Sequence, residues 1–172
     1  MLKGSKVTLR AMEPSDIEVL FAWENDVDNW QISNTHAPFS RHILEQFVNS
    51  ENDIFSNKQL RLMIEENESS LTVGAVDLFE FDPLHLKAGV GILIAEHEFR
   101  GKGLAKESLQ LLIEYAFDII NLHQLFCHIE IKNTRSLELF QGLGFEITGT
   151  KKDWSMNNGE WENQYFLQLI SG

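Results

Sequence analysis

The segment Glu98-Phe99-Arg100-Gly101-Lys102-Gly103-Leu104-Ala105-Lys106 sets two glycines and two lysines between a short apolar run and a long amphipathic pattern. A chain with this punctuation has to pass from strand to helix within a few residues. Glycine supplies backbone angles that other residues avoid, so successive N–H groups can converge on one concavity. The helix that follows aims the positive end of its dipole at the same place. Such a cradle fits an anion, and a pyrophosphate in particular.

The spacing excludes two familiar ligands. A dinucleotide fingerprint requires a glycine or alanine three residues after the second glycine, where this chain has Lys106, and no acidic residue ends a second strand at the expected distance. A phosphate loop of the Walker type requires Gly-Lys followed by Ser or Thr, which is absent.

Around the loop, hydrophobic periodicity alternates between strand and helix. Val7 to Arg10 reads as a first strand, and Pro14 opens a helix whose core face carries Ile17, Leu20, Phe21 and Trp23 or Glu24. Residues 27–40 are rich in Asn, Asp, Ser, Thr and Pro and read as loop, after which Ser40 caps a helix with Ile43, Leu44, Phe47 and Val48 as its stripe. Leu60–Ile64 and Leu71–Leu78 form a hairpin across an acidic turn, and the apolar run Ala88–Ala95 suits a strand buried on both faces.

Ala105, Leu109, Leu112, Ile113, Ala116, Phe117 and Ile120 recur at helical spacing after the glycine loop. Gln124–Ile131 returns to strand, Asn133 opens a short helix ending at Gly142 or Gly144, and Phe145–Thr148 and Tyr165–Ile170 close the chain as strands. Asn157-Asn158-Gly159 marks a tight hairpin turn between them. The order β-α-α-β-β-β-α-β-α-β-β defines a mixed α/β sheet of about seven strands. With no linker or repeat, residues 1–172 are expected to form one domain.

A formal net charge of −12 disfavours a nucleic-acid surface and favours cationic partners. No run approaches the ~20 apolar residues of a membrane span, and no signal sequence opens the chain, so a cytoplasmic protein is expected. Cys127 is the single cysteine and lies in an apolar strand, and the six histidines form no His-x-x-x-His pair. Neither a disulfide framework nor a metal site is expected.

Arg100, Gly103 and Ala105 meet the pattern Arg/Gln-x-x-Gly-x-Gly/Ala and resemble the acyl-CoA loop of the GNAT acetyltransferase superfamily. Two more stretches are similar to that superfamily: Asn133-x-x-Ser136-x-x-x-Phe140-x-x-x-Gly144-Phe145, and the opening Leu9-Arg10 with Asp16. The resemblance spans the chain. It is nearest to the spermidine/spermine and diamine acetyltransferases, with the ribosomal-protein N-terminal acetyltransferases next.

The resemblance implies a GNAT fold, mostly antiparallel with a splay between strands 4 and 5, and acetyl-CoA as co-substrate. It implies that Arg100, Gly101, Lys102, Gly103, Leu104, Ala105 and Lys106 hold the pyrophosphate, while the backbone of Leu93, Ile94, Ala95 and Glu96 pairs with the pantetheine arm. Asn133 would bond that arm from the other side, next to Ser136 and Phe140. Where the polyamine branch has a tyrosine as general acid this chain has Phe140, and the fourth strand carries no glutamate among Ala88-Gly89-Val90-Gly91.

Three accounts of that loss stay open: Ser136 as catalytic proton donor, a thiol acidic enough to leave unaided, or an acyl-CoA-binding module without turnover. For the acceptor, a small-molecule amine, the resemblance points to Glu80, with Asp77 beside it and Trp30 as a candidate wall. A polyamine or diamine is the expected acceptor, a protein or ribosomal N-terminus the alternative. A homo-oligomer is a further expectation of the resemblance.

Overall fold

The computed structural model describes residues 1–33, 35–50, 53–157 and 159–172. One open sheet holds eight strands: β1 Leu2–Lys3, β2 Val7–Ala11, β3 Leu60–Glu66, β4 Thr72–Asp82, β5 Lys87–Ile94, β6 Gln124–Glu130, β7 Glu146–Asn157 and β8 Glu160–Ile170. Their spatial order is β1-β2-β3-β4-β5-β6-β8-β7. All neighbours pair antiparallel except β5 and β6, which are parallel. The two-residue β1 adds an eighth strand to the seven that periodicity predicts, so the pair expected to splay is β5 with β6.

Alternation along the strands sends neighbouring residues to opposite faces. Ile64, Val76, Leu78 and Val90 pack with Leu109 and Leu112 of α5 (Leu104–Glu114) in the larger core. Met63 and Ala75 pack instead with Leu20, Trp23 and Val48, from α1 (Ile17–Glu24) and α3 (Arg41–Asn49). The sheet is thus sandwiched, with α5 on one face and the early helices on the other.

Local chemistry fixes the first helix. Pro14 opens a 3₁₀ turn, and Asp16 and Glu13 close a reciprocal capping box. Arg10 of β2 then grips both Asp16 oxygens at 2.7 and 2.8 Å, fastening the helix to the sheet. The Leu9-Arg10 and Asp16 signature is therefore a strand-to-helix clamp.

The segment 27–40 departs from the expected loop, because Val27–Ser33 forms a helix, α2. Polar composition hid its capping: the Asp26 carboxylate accepts the Asp28 N–H at 3.0 Å, and its carbonyl accepts from Asn29 at 3.0 Å. The short α4 (Ile54–Asn57) is likewise capped by Asp53, which accepts from Phe55 and Ser56. The last two strands run further than their apolar cores suggested, since most of β7 and the outer end of β8 are exposed and carry no hydrophobic pattern. Asn158 of the expected turn lies outside the described residues; beside it Gly159 has φ +84° and Asn157 pairs with Glu160.

Candidate active site

The parallel ladder between β5 and β6 is short. It joins Lys87 to Gln124, Ala88 to Leu125 and Gly89 to Phe126, and then ends. Beyond Gly89, β5 continues to Ile94 paired with β4 alone, and β6 continues to Glu130 paired with β8 alone. The two strands diverge, and backbone groups along the inner edge of each are left to face an opening.

On the α5 face that opening is a cleft of about 310 Å³, at the small end of the range for ligand sites. Leu93 and Ile94 of β5 wall one side, Asn133, Ser136 and Leu139 the other, and Gly101, Gly103, Leu104, Ala105 and Lys106 close its end. Gly101 and Gly103 have φ of +79° and +83°, conformations that favour glycine. Gly103 occupies the N-cap of α5 without a capping side chain, and the first intrahelical bond is Glu107 N–H to Gly103 carbonyl. The N–H groups of the first turn thus remain for a ligand.

The loop is braced from the sheet edge. Glu107 accepts backbone N–H groups from Ser5, Lys6 and Val7 at 3.0, 2.7 and 2.9 Å, pinning the β1–β2 turn to α5. That brings the Lys6 ammonium to 3.0 Å from the Lys102 carbonyl, beside Gly103. Lys102 itself lies 4.7 Å above the Phe99 ring and does not line the cleft. Arg135, on α6 (Thr134–Gln141), does line it, 3.9 Å from where a Gly101 side chain would begin. Sequence reasoning passed over Lys6 and Arg135, since neither belongs to the glycine motif.

Other expected contacts are placed differently. The Arg100 side chain lines the cleft but bonds the carbonyls of Ile94 at 2.8 Å and Ala95 at 3.2 Å, holding the end of β5 in place. Ala95 and Glu96 both donate their N–H to the Val73 carbonyl, and the Glu96 carboxylate accepts from the Trp23 indole. Their backbone donors are therefore already used. Asn133 caps α6 by accepting from Ser136 N–H at 3.2 Å, which leaves its amide NH₂ for the cleft. The Ser136 hydroxyl has no hydrogen-bond partner among the described residues. Phe140 is only 4% exposed and packs edge-on against Phe145, with ring centroids 5.1 Å apart.

The opposite face of the opening is aromatic and charged. Phe79 lies over Gly89, and Phe79, Phe126, His128 and Phe166 form a continuous aromatic floor with ring centroids 5.1–6.2 Å apart. Asp77 of β4 shares this face, bound to Arg61, which also binds Glu24. Glu80 is exposed on a bulge with φ +49°. Trp30, half-buried on α2, donates its indole N–H to the Glu24 carbonyl at 2.8 Å, beside that cluster. Cys127 faces the core, where burial pushes its thiol up to about 12, out of the range of a nucleophile.

A splayed parallel pair, a glycine loop at a helix N-terminus and an asparagine-capped helix across the gap define an acyl-CoA transferase site. Residues 6–146 match the family model of the acetyltransferase (GNAT) domain, and the chain belongs to that family. It is 28% identical over 170 residues to the spermidine N(1)-acetyltransferase of Vibrio cholerae, covering 96% of this chain and 95% of that one. It is also 28% identical to an uncharacterised N-acetyltransferase, p20, of Bacillus licheniformis, covering 98% and 95%.

Among solved structures, the spermidine N-acetyltransferase of Vibrio cholerae in complex with CoA and spermine superposes with a TM-score of 0.87, covering 97% of this chain and 96% of that chain at 26% identity. A dodecameric structure of the Vibrio cholerae enzyme gives 0.80 at 26% identity, covering 97% and 95%. The chain is an acetyl-CoA-dependent N-acetyltransferase of the GNAT type. No helix among the described residues is long and apolar enough to cross a membrane.

Proposed function

We propose that this enzyme acetylates a primary amine of a polyamine or diamine by direct attack within a ternary complex. The observation that carries this reading is the face opposite the CoA cleft, where an aromatic floor adjoins the exposed Glu80 and shares its side of the sheet with Asp77, paired to Arg61. Flexible alkylamines suit such a surface: methylenes lie on rings, and ammonium groups gain from π-faces and carboxylates. The similarity to spermidine acetyltransferases, one of them bound to spermine, supports the same acceptor class.

In this reading the pyrophosphate is met by N–H groups of the first turn of α5 and by Lys106, with Arg135 and Lys6 adding charge. Pantetheine lies in the opening between Leu93–Ile94 and Asn133. The thioester then sits at the opening itself, so an amine arriving from the aromatic face attacks its carbonyl, and a backbone N–H of β5 meets the developing oxyanion. By analogy with the dodecameric relative, a homo-oligomer is part of the proposal.

Release of CoA thiol, followed with spermidine, spermine, putrescine and N-terminal peptides, tests the acceptor. Turnover on the polyamines is expected. A preference for the peptides would move the enzyme to the N-terminal branch, and no release with any amine would refute acetylation.

A further inference from the structure

Phe140 has no proton to give, so the sulfur that leaves must be protonated from elsewhere or depart as thiolate. Ser136 is one candidate. A second stands on the other side of the opening, in the ladder itself.

The register across the sheet aligns one row of residues on the aromatic face. Arg61 is opposite Asp77, and Asp77 is opposite Gly91. On the far side of the splay His128 is opposite Phe166, which is opposite Gly149. The last parallel pair is Gly89 with Phe126. Two residues further along each strand, Gly91 and His128 are the first residues of this face past the end of the ladder, one on each lip of the opening. A Cβ on residue 91 would stand 3.6 Å from the Phe79 ring, on the aromatic face of the opening.

The His128 ring is held by aromatic packing. It packs 5.7 Å from Phe126 and 5.1 Å from Phe166, and Nδ1 is buried without any partner among the described residues. An unpaired buried nitrogen is costly and uncommon, and it is satisfied once a ligand supplies the missing bond. The charged groups facing it are Glu80 from β4 and Lys151 from β7, while β8 contributes Phe166; Glu130, on the same side of β6, is occupied by the Ser155 hydroxyl at 2.9 Å.

We infer that His128 carries the proton from the attacking nitrogen to the departing sulfur, replacing the missing tyrosine. This rests on the amine acetylation proposed above. The lone pair of the neutral amine forms the C–N bond to the thioester carbonyl, and the nitrogen, made acidic by that bond, passes its proton to the imidazole. The carbonyl re-forms, the C–S bond breaks, and the imidazolium returns the proton to the thiolate, giving amide and free CoA. No other reactant is consumed. Burial, aided by Lys151 and opposed by Glu80, holds the ring below its ordinary 6.5, so it is neutral and ready to accept a proton at physiological pH.

The test is the pH dependence of kcat at saturating acetyl-CoA and spermidine. Wild-type log kcat is expected to fall with unit slope below a pKa under 6.5; His128→Gln should lose about 10²-fold in kcat and lose that limb, with CoA affinity unchanged. Imidazole added to His128→Ala should restore part of the rate, which repacking alone would not do. If His128→Gln keeps wild-type kcat and the same acid limb, the inference is wrong although acetylation stands. If the wild type acetylates no amine, the acetylation reading falls first and the inference with it. Should neither variant fold, the His128 ring resonance of the wild type decides: titration below pH 6.5 with a shift on spermidine binding supports the role, and indifference to the amine overturns it.

Discussion

Arg61 holds Asp77 in a two-pronged ion pair, with Nε 2.7 Å from one carboxylate oxygen and Nη2 3.2 Å from the other, while Nη1 reaches Glu24 at 2.8 Å. Burial alone would weaken the guanidinium's charge, and the two carboxylates more than reverse that. Asp77 is thus a structural member of a three-residue network, whereas Glu80 is exposed and forms no ion pair among the described residues. The two carboxylates should separate experimentally. Asp77→Asn is expected to destabilise the protein by about 1–3 kcal/mol, read by urea unfolding, because a partly buried arginine loses its charged acceptor. Glu80→Gln should leave stability intact and raise the KM for spermidine by up to about fivefold, the scale of one exposed charge.

The clamp between Arg10 and Asp16 makes stability depend on acid. Burial pushes the Asp16 carboxyl up, but the two bonds from Arg10 and the Glu13 N–H prevail and hold it below its ordinary 3.8. A carboxyl with a depressed folded pKa contributes stability above its unfolded pKa and loses it as pH falls through the folded value. Stability should therefore decline below about pH 4, and Asp16→Asn should flatten that decline while costing about 3 kcal/mol at pH 7, since it breaks a largely buried pair. Thermal unfolding at several pH values measures both.

Local chemistry was legible in the chain, and register was not. The glycine loop, the Asn133 cap and the apolar stripe of α5 each depend on residues a few positions apart, so their spacing announces them. Arg100 was legible as part of the loop motif, but its grip on the Ile94 and Ala95 carbonyls depends on how the loop folds back. The α2 helix was obscured because Asp26 and Asn29 look like loop composition until their bonds are seen. His128 was invisible as a site residue: alternation puts Phe126 and His128 on one face, yet only the point where the β5–β6 ladder stops, at Gly89 and Phe126, sets His128 on the lip of the opening. Lys6 and Arg135 escaped for a similar reason, being brought to the loop by Glu107 and by the position of α6.

Gly103 is a direct probe of the anion cradle. Its φ of +83° costs a residue with a Cβ on the order of 1–2 kcal/mol, and the new Cβ would stand 3.2 Å from the Lys6 ammonium. Gly103→Ala should therefore distort the loop and displace Lys6 together. A roughly tenfold loss of CoA affinity by calorimetry is expected, with kcat at saturating acetyl-CoA changed far less. A variant binding CoA as tightly as the wild type would show that the cradle does not touch the pyrophosphate.

Restoring a tyrosine at position 140 distinguishes the two routes to the sulfur. Phe140 is 4% exposed and packed on Phe145, so the added hydroxyl enters an apolar core. Without a partner it should cost about 1–3 kcal/mol, lowering the melting temperature while CoA affinity stays near wild type, since the ring does not line the cleft. If His128 already returns the proton, Phe140→Tyr gains nothing in kcat and keeps the acid limb of the pH profile. A rise of tenfold or more, with that limb weakened, would mean that the hydroxyl reaches the thiolate and that position 140 is the acid this chain had lost.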